Sequence, residues 1–164
     1  MTKRSNYITT AGEKRLRDEL RFLWKTERVE VTKRVSDAAK EGDRSENAEY
    51  IYSKKRLREI DRRIRYLSKR LEAVQVVSQL PANREKAYFG AWVTILGLQG
   101  QQLDKEHCYR IVGTDEFDAM DNYISIDSPM ARALLGKSID DEIELQLPTE
   151  VQYWSIINIE YRDN

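Results

Sequence analysis

The chain has 164 residues, of which 34% are charged, and a mean hydropathy of −0.71, so it is more polar than a compact single-core protein requires. Its single cysteine, Cys108, excludes an intramolecular disulfide, and its single histidine, His107, leaves no Cys/His pattern for a zinc site. No apolar run approaches the roughly 20 residues of a membrane span, and residues 1–7 lack the apolar core of a signal peptide. We therefore expect an elongated, soluble, cytoplasmic protein.

The formal net charge of zero hides an asymmetry between the two halves of the chain. Residues 1–80 hold 21 Lys and Arg against 13 Asp and Glu, and residues 81–164 hold 7 against 15. The halves therefore carry about +8 and −8. This pattern indicates that the first half meets a polyanion or an acidic cavity, or that it is a basic but merely solvated helical rod.

The first half begins with a long predicted helix. Thr10-Ala11-Gly12-Glu13 has the form of a capping box, and apolar residues then mark one helix face as far as about Lys40. These residues are Leu16, Leu20, Leu23, Val31, Val35 and Ala38. Glu27 falls where this seam requires an apolar residue, so we expect the register to shift or loosen there.

A second long helix follows, with apolar positions that alternate spacings of three and four. They are Tyr50, Ser53, Leu57, Ile60, Ile64, Leu67, Leu71 and Val74. This is the heptad pattern of a coiled-coil seam. Because only a few residues join the two helices, the pattern favours an antiparallel hairpin over pairing with another chain.

The outer face of the second helix is predicted to carry a basic stripe. The stripe comprises Lys54, Lys55, Arg56, Arg58, Arg62, Arg63, Arg65, Lys69 and Arg70. One interpretation is a surface that contacts nucleic-acid phosphates, and the other is an ordinary solvated helix face.

The composition changes at residues 78–83, where proline and small polar residues end the helix and predict a domain boundary. We therefore expect domains at residues 1–80 and 84–164. Segments rich in β-branched and aromatic residues predict strands at 89–96, 108–112, 122–126, 143–147 and 154–161. Residues 128–136 predict one short helix, since they combine a serine cap, a first-turn proline and a closing glycine. The second domain is thus predicted to be a small antiparallel sheet with one helix.

The break between the long helices, residues 41–50, is the only place where a change of pattern coincides with clustered carboxylates. Asp43 and Glu46 are spaced to share one helix face, and Gly42 lets the chain reverse. Alternatively, Asp43 and Glu46 form an acidic capping box, in which Asp43 accepts a hydrogen bond from the amide of residue 46. Two carboxylates alone bind Mg²⁺ poorly, so such a tip would complete a metal site supplied by a partner.

Two motifs resemble those of the Gre family of bacterial transcript-cleavage factors. Residues 42–50, Gly-Asp-Arg-Ser-Glu-Asn-Ala-Glu-Tyr, resemble the tip motif of that family, and residues 124–135 resemble its C-terminal signature. The basic content of residues 54–70 is similar to the GreB branch. The resemblance covers nearly the whole chain and is weakest at residues 97–107 and 118–121.

This resemblance implies an α+β protein with an N-terminal antiparallel coiled coil and an FKBP-like domain. It implies a protein that enters the secondary channel of bacterial RNA polymerase and stimulates the polymerase, which is itself the enzyme, to cleave backtracked RNA. Asp43 and Glu46 would hold a Mg²⁺ ion shared with the polymerase. The basic stripe would contact the nascent RNA 3′ end. The tip would be positioned by Ser45, Asn47 and Tyr50, and the polymerase would be met by Asp127, Ser128 and Pro129.

Three alternatives stay open at this stage. A non-catalytic relative would enter the same channel and regulate the polymerase, and an RNA-cleavage assay on stalled complexes distinguishes it. A prolyl isomerase is suggested by the FKBP-like domain, and a peptide isomerisation assay distinguishes it. A coiled-coil adaptor would dimerise in a concentration-dependent manner, whereas an intramolecular hairpin predicts a monomer.

Overall fold

A computed structural model describes residues 4–162 and divides them into two compact units. One unit is formed by residues 13–74, and the other by residues 4–12 together with 75–162. This division differs from the predicted domains 1–80 and 84–164. The difference arises because one short strand precedes the hairpin and another follows it. These strands, β1 (Tyr7–Thr9) and β2 (Gln75–Val77), pair in parallel with each other, so both belong to the same unit.

The first unit is the predicted hairpin of two long helical arms. Its first arm contains α1 (Thr10–Phe22), a π-helical segment (Leu23–Glu27) and α2 (Arg28–Ala39). Its second arm is α3 (Ala48–Ala73). No helix within residues 4–162 combines the length and the apolar character needed to cross a membrane.

The seam between the arms follows the predicted heptad positions. Its most buried side chains are those of Leu16, Leu23, Val31, Ala38, Ser53, Ile60 and Leu67. Leu23 and Val31 are eight residues apart, one more than a heptad, and the π-helical segment between them absorbs the extra residue. The predicted register shift near Glu27 is therefore confirmed.

Ion pairs connect the two arms beside the seam. The Nε–Oε1 distances are 2.9 Å for Arg63 with Glu19 and 2.7 Å for Arg56 with Glu27, and Arg28 Nε lies 2.8 Å from Asp61 Oδ1. Each pair is only partly exposed and joins residues from different arms, so together they fix the helices against sliding.

The second unit contains a five-stranded sheet of order β5-β4-β3-β7-β6. The strands are β3 (Trp92–Gly97), β4 (Glu106–Val112), β5 (Tyr123–Ser125), β6 (Glu142–Gln146) and β7 (Val151–Glu160). All neighbouring pairs are antiparallel except β4 with β5, which is parallel because residues 113–122 carry the chain back along the sheet before β5 begins. The predicted sheet is confirmed as mostly antiparallel.

The sheet packs its core against the one predicted short helix, α4 (Pro129–Leu134). Ser128 caps this helix by accepting a hydrogen bond from Ala131 N–H at 3.2 Å, and Pro129 occupies its first turn. The fully buried core side chains include those of Val93, Ile95, Ile111, Ala131, Leu134 and Ile156. Strands β3 and β6 alternate more buried with more exposed residues, as a sheet with one covered face requires.

A buried carboxylate fixes the start of α1. Glu116 accepts hydrogen bonds from Thr9 N–H at 3.0 Å, from Gly113 N–H at 2.7 Å and from the Thr9 hydroxyl. Thr9 Oγ1 in turn accepts from Gly12 N–H at 3.0 Å, so the predicted capping box beginning at Thr10 is wrong by one residue. A side chain at Gly12 would collide with Glu116, so this contact requires glycine there.

Candidate functional site at the hairpin turn

The turn between α2 and α3 occupies residues 40–47. Lys40 and Glu41 end the first arm by donating backbone hydrogen bonds to Asp37 O and Ala38 O, both at 3.2 Å. Gly42 follows with φ of +135°, a conformation that other residues rarely adopt. The chain thereby reverses direction, and the side chains of residues 41–46 are all exposed.

Asn47 ties both arms together at this turn. Its Oδ1 accepts a hydrogen bond from Tyr50 N–H at 3.1 Å, which makes Asn47 the N-cap of α3. Its Nδ2 donates to Ala38 O at 2.8 Å, one of the carbonyls at the end of α2 that lack a partner within the helix. The alternative role of Asp43 as the helix cap is therefore wrong, because Asn47 performs that role.

Asp43 is held by its neighbour and does not cap the helix. Its Oδ1 accepts hydrogen bonds from Ser45 Oγ at 2.8 Å and from Ser45 N–H at 3.0 Å. These bonds, the one from the hydroxyl first, hold the pKa of Asp43 below its usual value because they stabilise the charged form. The carboxylate is thus fixed by one oxygen, and its Oδ2 accepts no hydrogen bond from residues 4–162.

Glu46 lies in the same turn, and its N–H donates to Asp43 O at 3.3 Å. Its carboxylate accepts no hydrogen bond from the described part of the chain, and the side chain is exposed. Two carboxylates of one short turn are therefore available to an external partner. Neither is needed to begin the following helix.

The donor set at the turn suits a shared cation but not a complete site. Among residues 4–162, no group of three or more His, Cys, Asp or Glu side chains is arranged to hold a metal ion. Carboxylate oxygens are the ligands that Mg²⁺ prefers, and this ion is commonly held by one or two carboxylates with the remaining ligands from other sources. Asp43 and Glu46 fit that arrangement.

Arg44 contributes to the turn in a way that the sequence analysis missed. Its guanidinium lies over the ring of Tyr50, 5.6 Å from the centroid, while the Tyr50 ring is half-buried. The contact links the exposed turn to the first turn of α3. No periodic pattern indicates it, because Arg44 precedes the helix and Tyr50 lies within it.

The structure divides the predicted basic stripe into two sets. Arg56 and Arg63 face the other arm, where they pair with Glu27 and Glu19, so their predicted place on the outer face is wrong. They flank the seam, and cations at such positions pair across a coiled coil. The remaining members lie outside these pairs and are half-buried or exposed; they are Lys54, Lys55, Arg58, Arg62, Arg65, Lys69 and Arg70.

The three predicted docking residues lie where β5 leads into α4. Asp127 Oδ2 accepts a hydrogen bond from Ser5 N–H at 2.9 Å, so this carboxylate also holds the segment that precedes β1. Ser128 is engaged as the cap of α4. Pro129 occupies the first turn of that helix and is exposed, whereas Asp127 and Ser128 are half-buried.

Models of known protein families match both the N-terminal and the C-terminal part of the chain. The family model described as transcription elongation factor, N-terminal, matches residues 6–76, and the model described as transcription elongation factor, GreA/GreB, C-term, matches residues 82–161. The chain is 58% identical to transcription elongation factor GreB of Haemophilus ducreyi over 96% of this chain and 95% of that protein. It is 60% identical to GreB of Pasteurella multocida over 89% of this chain and 90% of that protein.

A similar solved structure is the crystal structure of GreA factor homolog 1 (Gfh1) protein of Thermus thermophilus. It has 22% sequence identity and a TM-score of 0.43, and the match covers 96% of this chain and 99% of that one.

Proposed function

This chain belongs to the GreA/GreB family of transcription elongation factors, and we propose that it stimulates RNA polymerase to cleave backtracked nascent RNA. The observation that carries the proposal is the pair of exposed carboxylates at the end of the hairpin, Asp43 and Glu46, which the helix cap leaves free. The polymerase is the catalyst, and this protein completes its active site.

In this proposal Asp43 and Glu46 supply two carboxylate ligands, and the polymerase supplies the others. A Mg²⁺ ion held by these ligands would activate the attacking water and stabilise charge on the reacting phosphate. Ser45 orients Asp43 through two hydrogen bonds, both of which favour the charged carboxylate. Asn47 and Tyr50 set the position of the turn on the two arms.

The hairpin is the element that reaches the active centre through the secondary channel. The 26 residues of α3 extend about 39 Å at 1.5 Å per residue. Ion pairs between the arms support this reach, since they resist bending of a thin two-helix rod. The exposed members of the basic stripe are suited to the phosphates of RNA extruded past the tip.

Docking at the channel mouth is assigned to Asp127, Ser128 and Pro129. Asp127 is half-buried beside the segment that contains Ser5, and Pro129 is exposed. A rigid first helical turn supports such a contact because proline fixes its own backbone and Ser128 fixes the cap. The partner is the rim of the polymerase channel.

To test this proposal, the variants Asp43→Asn and Glu46→Gln are each added to a backtracked polymerase complex, and stimulated cleavage of the RNA is measured. Each should reduce stimulated cleavage by about 100-fold or more, because an amide lacks the charge that holds Mg²⁺. Raising the Mg²⁺ concentration should restore part of the activity. The fold should persist, since the amide that replaces the Asp43 carboxylate keeps an acceptor for Ser45 and the Glu46 side chain makes no hydrogen bond with the described residues.

Glu41→Gln is the matched control, because Glu41 is an exposed acid of the same turn that is not assigned to the metal. It should stimulate cleavage by the polymerase at the wild-type rate. The metal role is refuted for either residue whose variant keeps full activity at low Mg²⁺. Circular dichroism and competition for polymerase binding show whether a loss of activity reflects unfolding or lost docking.

A further inference from the structure

Trp24 is an exposed tryptophan in the middle of the hairpin. It lies in the π-helical segment, and 56% of its surface is exposed, although large aromatic residues are usually mostly buried. It lines a groove of about 450 Å³ on one side of the two-helix rod. The groove lies within residues 17–68 and is distinct from the turn that carries Asp43 and Glu46.

The groove has apolar walls and cations without a lining carboxylate. The residues that line it are Arg17, Leu20, Arg21, Trp24 and Lys25 from the first arm and Ile64 and Ser68 from the second. Arg17 is paired with Glu13. Asp18, one turn before Arg21, is paired with Lys14 at 2.6 Å. The hydrogen bond and the charge of Lys14 lower the pKa of Asp18, and the charge of Arg21 also contributes to this lowering. Within the described residues, Arg21 and Lys25 form no direct ion pair.

The flanks of the groove extend its basic character. The guanidinium of Arg28 lies 5.5 Å from the centroid of the Trp24 ring, although it is also paired with Asp61. Arg65 and Lys69 directly follow Ile64 and Ser68 along α3. A flat aromatic face beside several cations is the combination that binds single-stranded nucleic acid.

The π-helical segment is a second reason to regard this groove as a binding site. Single π turns inside α-helices are frequent at functional sites. Trp24 lies four residues after Leu20 and three after Arg21, so all three share the side of the first arm that faces the groove.

We propose that this groove binds single-stranded RNA, with one base stacked on Trp24 and the adjoining phosphates against Arg21 and Lys25. The proposal rests on the proposed function, because extruded RNA is the single strand that the hairpin would meet. Trp24 lies about 15 residues before the end of α2, or roughly 22 Å along the rod. The stacked base would therefore lie roughly four nucleotides from the tip.

The experiment measures binding of a fluorescent oligoadenylate to the full chain at low salt by anisotropy. An abasic oligomer of the same length carries the same phosphates without bases. Trp24→Ala should weaken oligoadenylate binding by roughly 5- to 150-fold and leave the abasic oligomer unaffected, and Trp24→Phe should retain most of the affinity. Arg21→Gln with Lys25→Gln should weaken both ligands.

Phe22→Leu is the matched control, because Phe22 is an equally exposed aromatic residue that lines a different groove. It should leave binding unchanged. The proposal is overturned if Trp24→Ala leaves oligoadenylate binding intact or weakens both oligomers equally. It is also overturned if an acidic peptide of equal charge displaces the RNA at the same concentration, which would assign the groove to a polypeptide. This binding assay contains no polymerase, so it tests the groove alone. Whether the wild-type protein stimulates cleavage is measured in a separate assay, and the two proposals can therefore fail independently.

Discussion

At the scale of single residues, the turn separates structural and chemical roles between neighbouring side chains. Asn47 caps the start of α3 and hydrogen-bonds to the end of α2, so an uncharged residue connects the two helices at the turn. Had Asp43 capped the helix, one of its oxygens would be directed at the backbone and substitution would unfold the turn. Because it does not, Asp43 and Glu46 can be altered chemically while the hairpin persists.

Replacing Ser45 by Ala should raise the pKa of Asp43 part of the way to its ordinary value of about 3.9. The hydroxyl provides the larger of the two hydrogen bonds that lower this pKa, and the backbone N–H of residue 45 remains. A lowered pKa stabilises the turn fully above the ordinary value, and this contribution is lost as the pH falls through the folded-state value. In Ser45→Ala this contribution should therefore be smaller, and its loss should be complete at a higher pH.

The measurement is the carboxyl ¹³C shift of Asp43 as a function of pH. Ser36→Ala, a substitution at an exposed serine of α2, is the control and should leave the Asp43 titration unchanged. An unaltered Asp43 pKa in Ser45→Ala would show that the hydroxyl does not hold the carboxylate in solution.

At the scale of elements, the first arm is a helix with one residue too many for its seam. Leu23 and Val31 both face α3, although eight residues separate them where a heptad has seven. A π turn accommodates the extra residue without moving either side chain out of the seam. The consequence is that the two halves of the arm keep the same register toward α3.

Deleting Lys25 should therefore leave the hairpin folded. The deletion restores a spacing of seven between Leu23 and Val31, and Lys25 itself is exposed. Deleting Lys33 from the regular helix α2 should instead turn Val35 and Ala38 about 100° away from the seam. That deletion should lower the free energy of unfolding by roughly 2 kcal/mol. Urea unfolding followed by circular dichroism compares the two, and equal destabilisation would contradict the role assigned to the π turn.

The sequence predicts those elements that depend on periodic patterns. The heptads of α3 and the interrupted heptads of the first arm predicted the seam and the place of its irregularity. It did not predict β1 and β2, because strands of three residues have too few positions to show a period. The clamp of Glu116 on Thr9 was also missed, since it joins residues 107 positions apart.

The site was predictable to a similar extent. The turn motif identified Asp43 and Glu46 as candidates, but spacing alone could not distinguish a metal ligand from a helix cap. The distinction depends on which side chain reaches Tyr50 N–H, and only the structure identifies Asn47. In the same way, composition could not separate Arg56 and Arg63, which pair across the hairpin, from the other members of the basic stripe.

At the scale of the whole molecule, the charge is divided along the chain. The basic first half contains the hairpin, and the acidic second half contains the sheet. Within the hairpin, some basic residues form ion pairs between the arms. Others, such as Arg58, Arg62 and Arg65, are exposed to solvent. A neutral protein can therefore still offer a basic rod to a polyanion.

Replacing Arg58, Arg62 and Arg65 together by Gln should impair cleavage of deeply backtracked complexes more than of complexes backtracked by two or three nucleotides. These residues lie roughly 15 to 26 Å along α3 from its start, and one helical turn of about 5.4 Å corresponds to roughly one nucleotide of extended RNA. A short extruded end cannot reach the farther residues. The slope of log affinity against log salt for long extrusions should fall by roughly 2, since three single-strand phosphate contacts are lost.

Complexes backtracked by two or three nucleotides are the internal control for this triple variant. The double variant Arg56→Gln with Arg63→Gln is the matched control within the protein. This double variant loses the ion pairs with Glu27 and Glu19, so it should have a lower free energy of unfolding. It should reduce cleavage similarly at all lengths of backtracking. Equal losses at all depths in the triple variant would mean that the exposed cations aid insertion into an acidic channel and do not contact RNA. If the triple variant shows no loss, the exposed stripe is an ordinary solvated helix face.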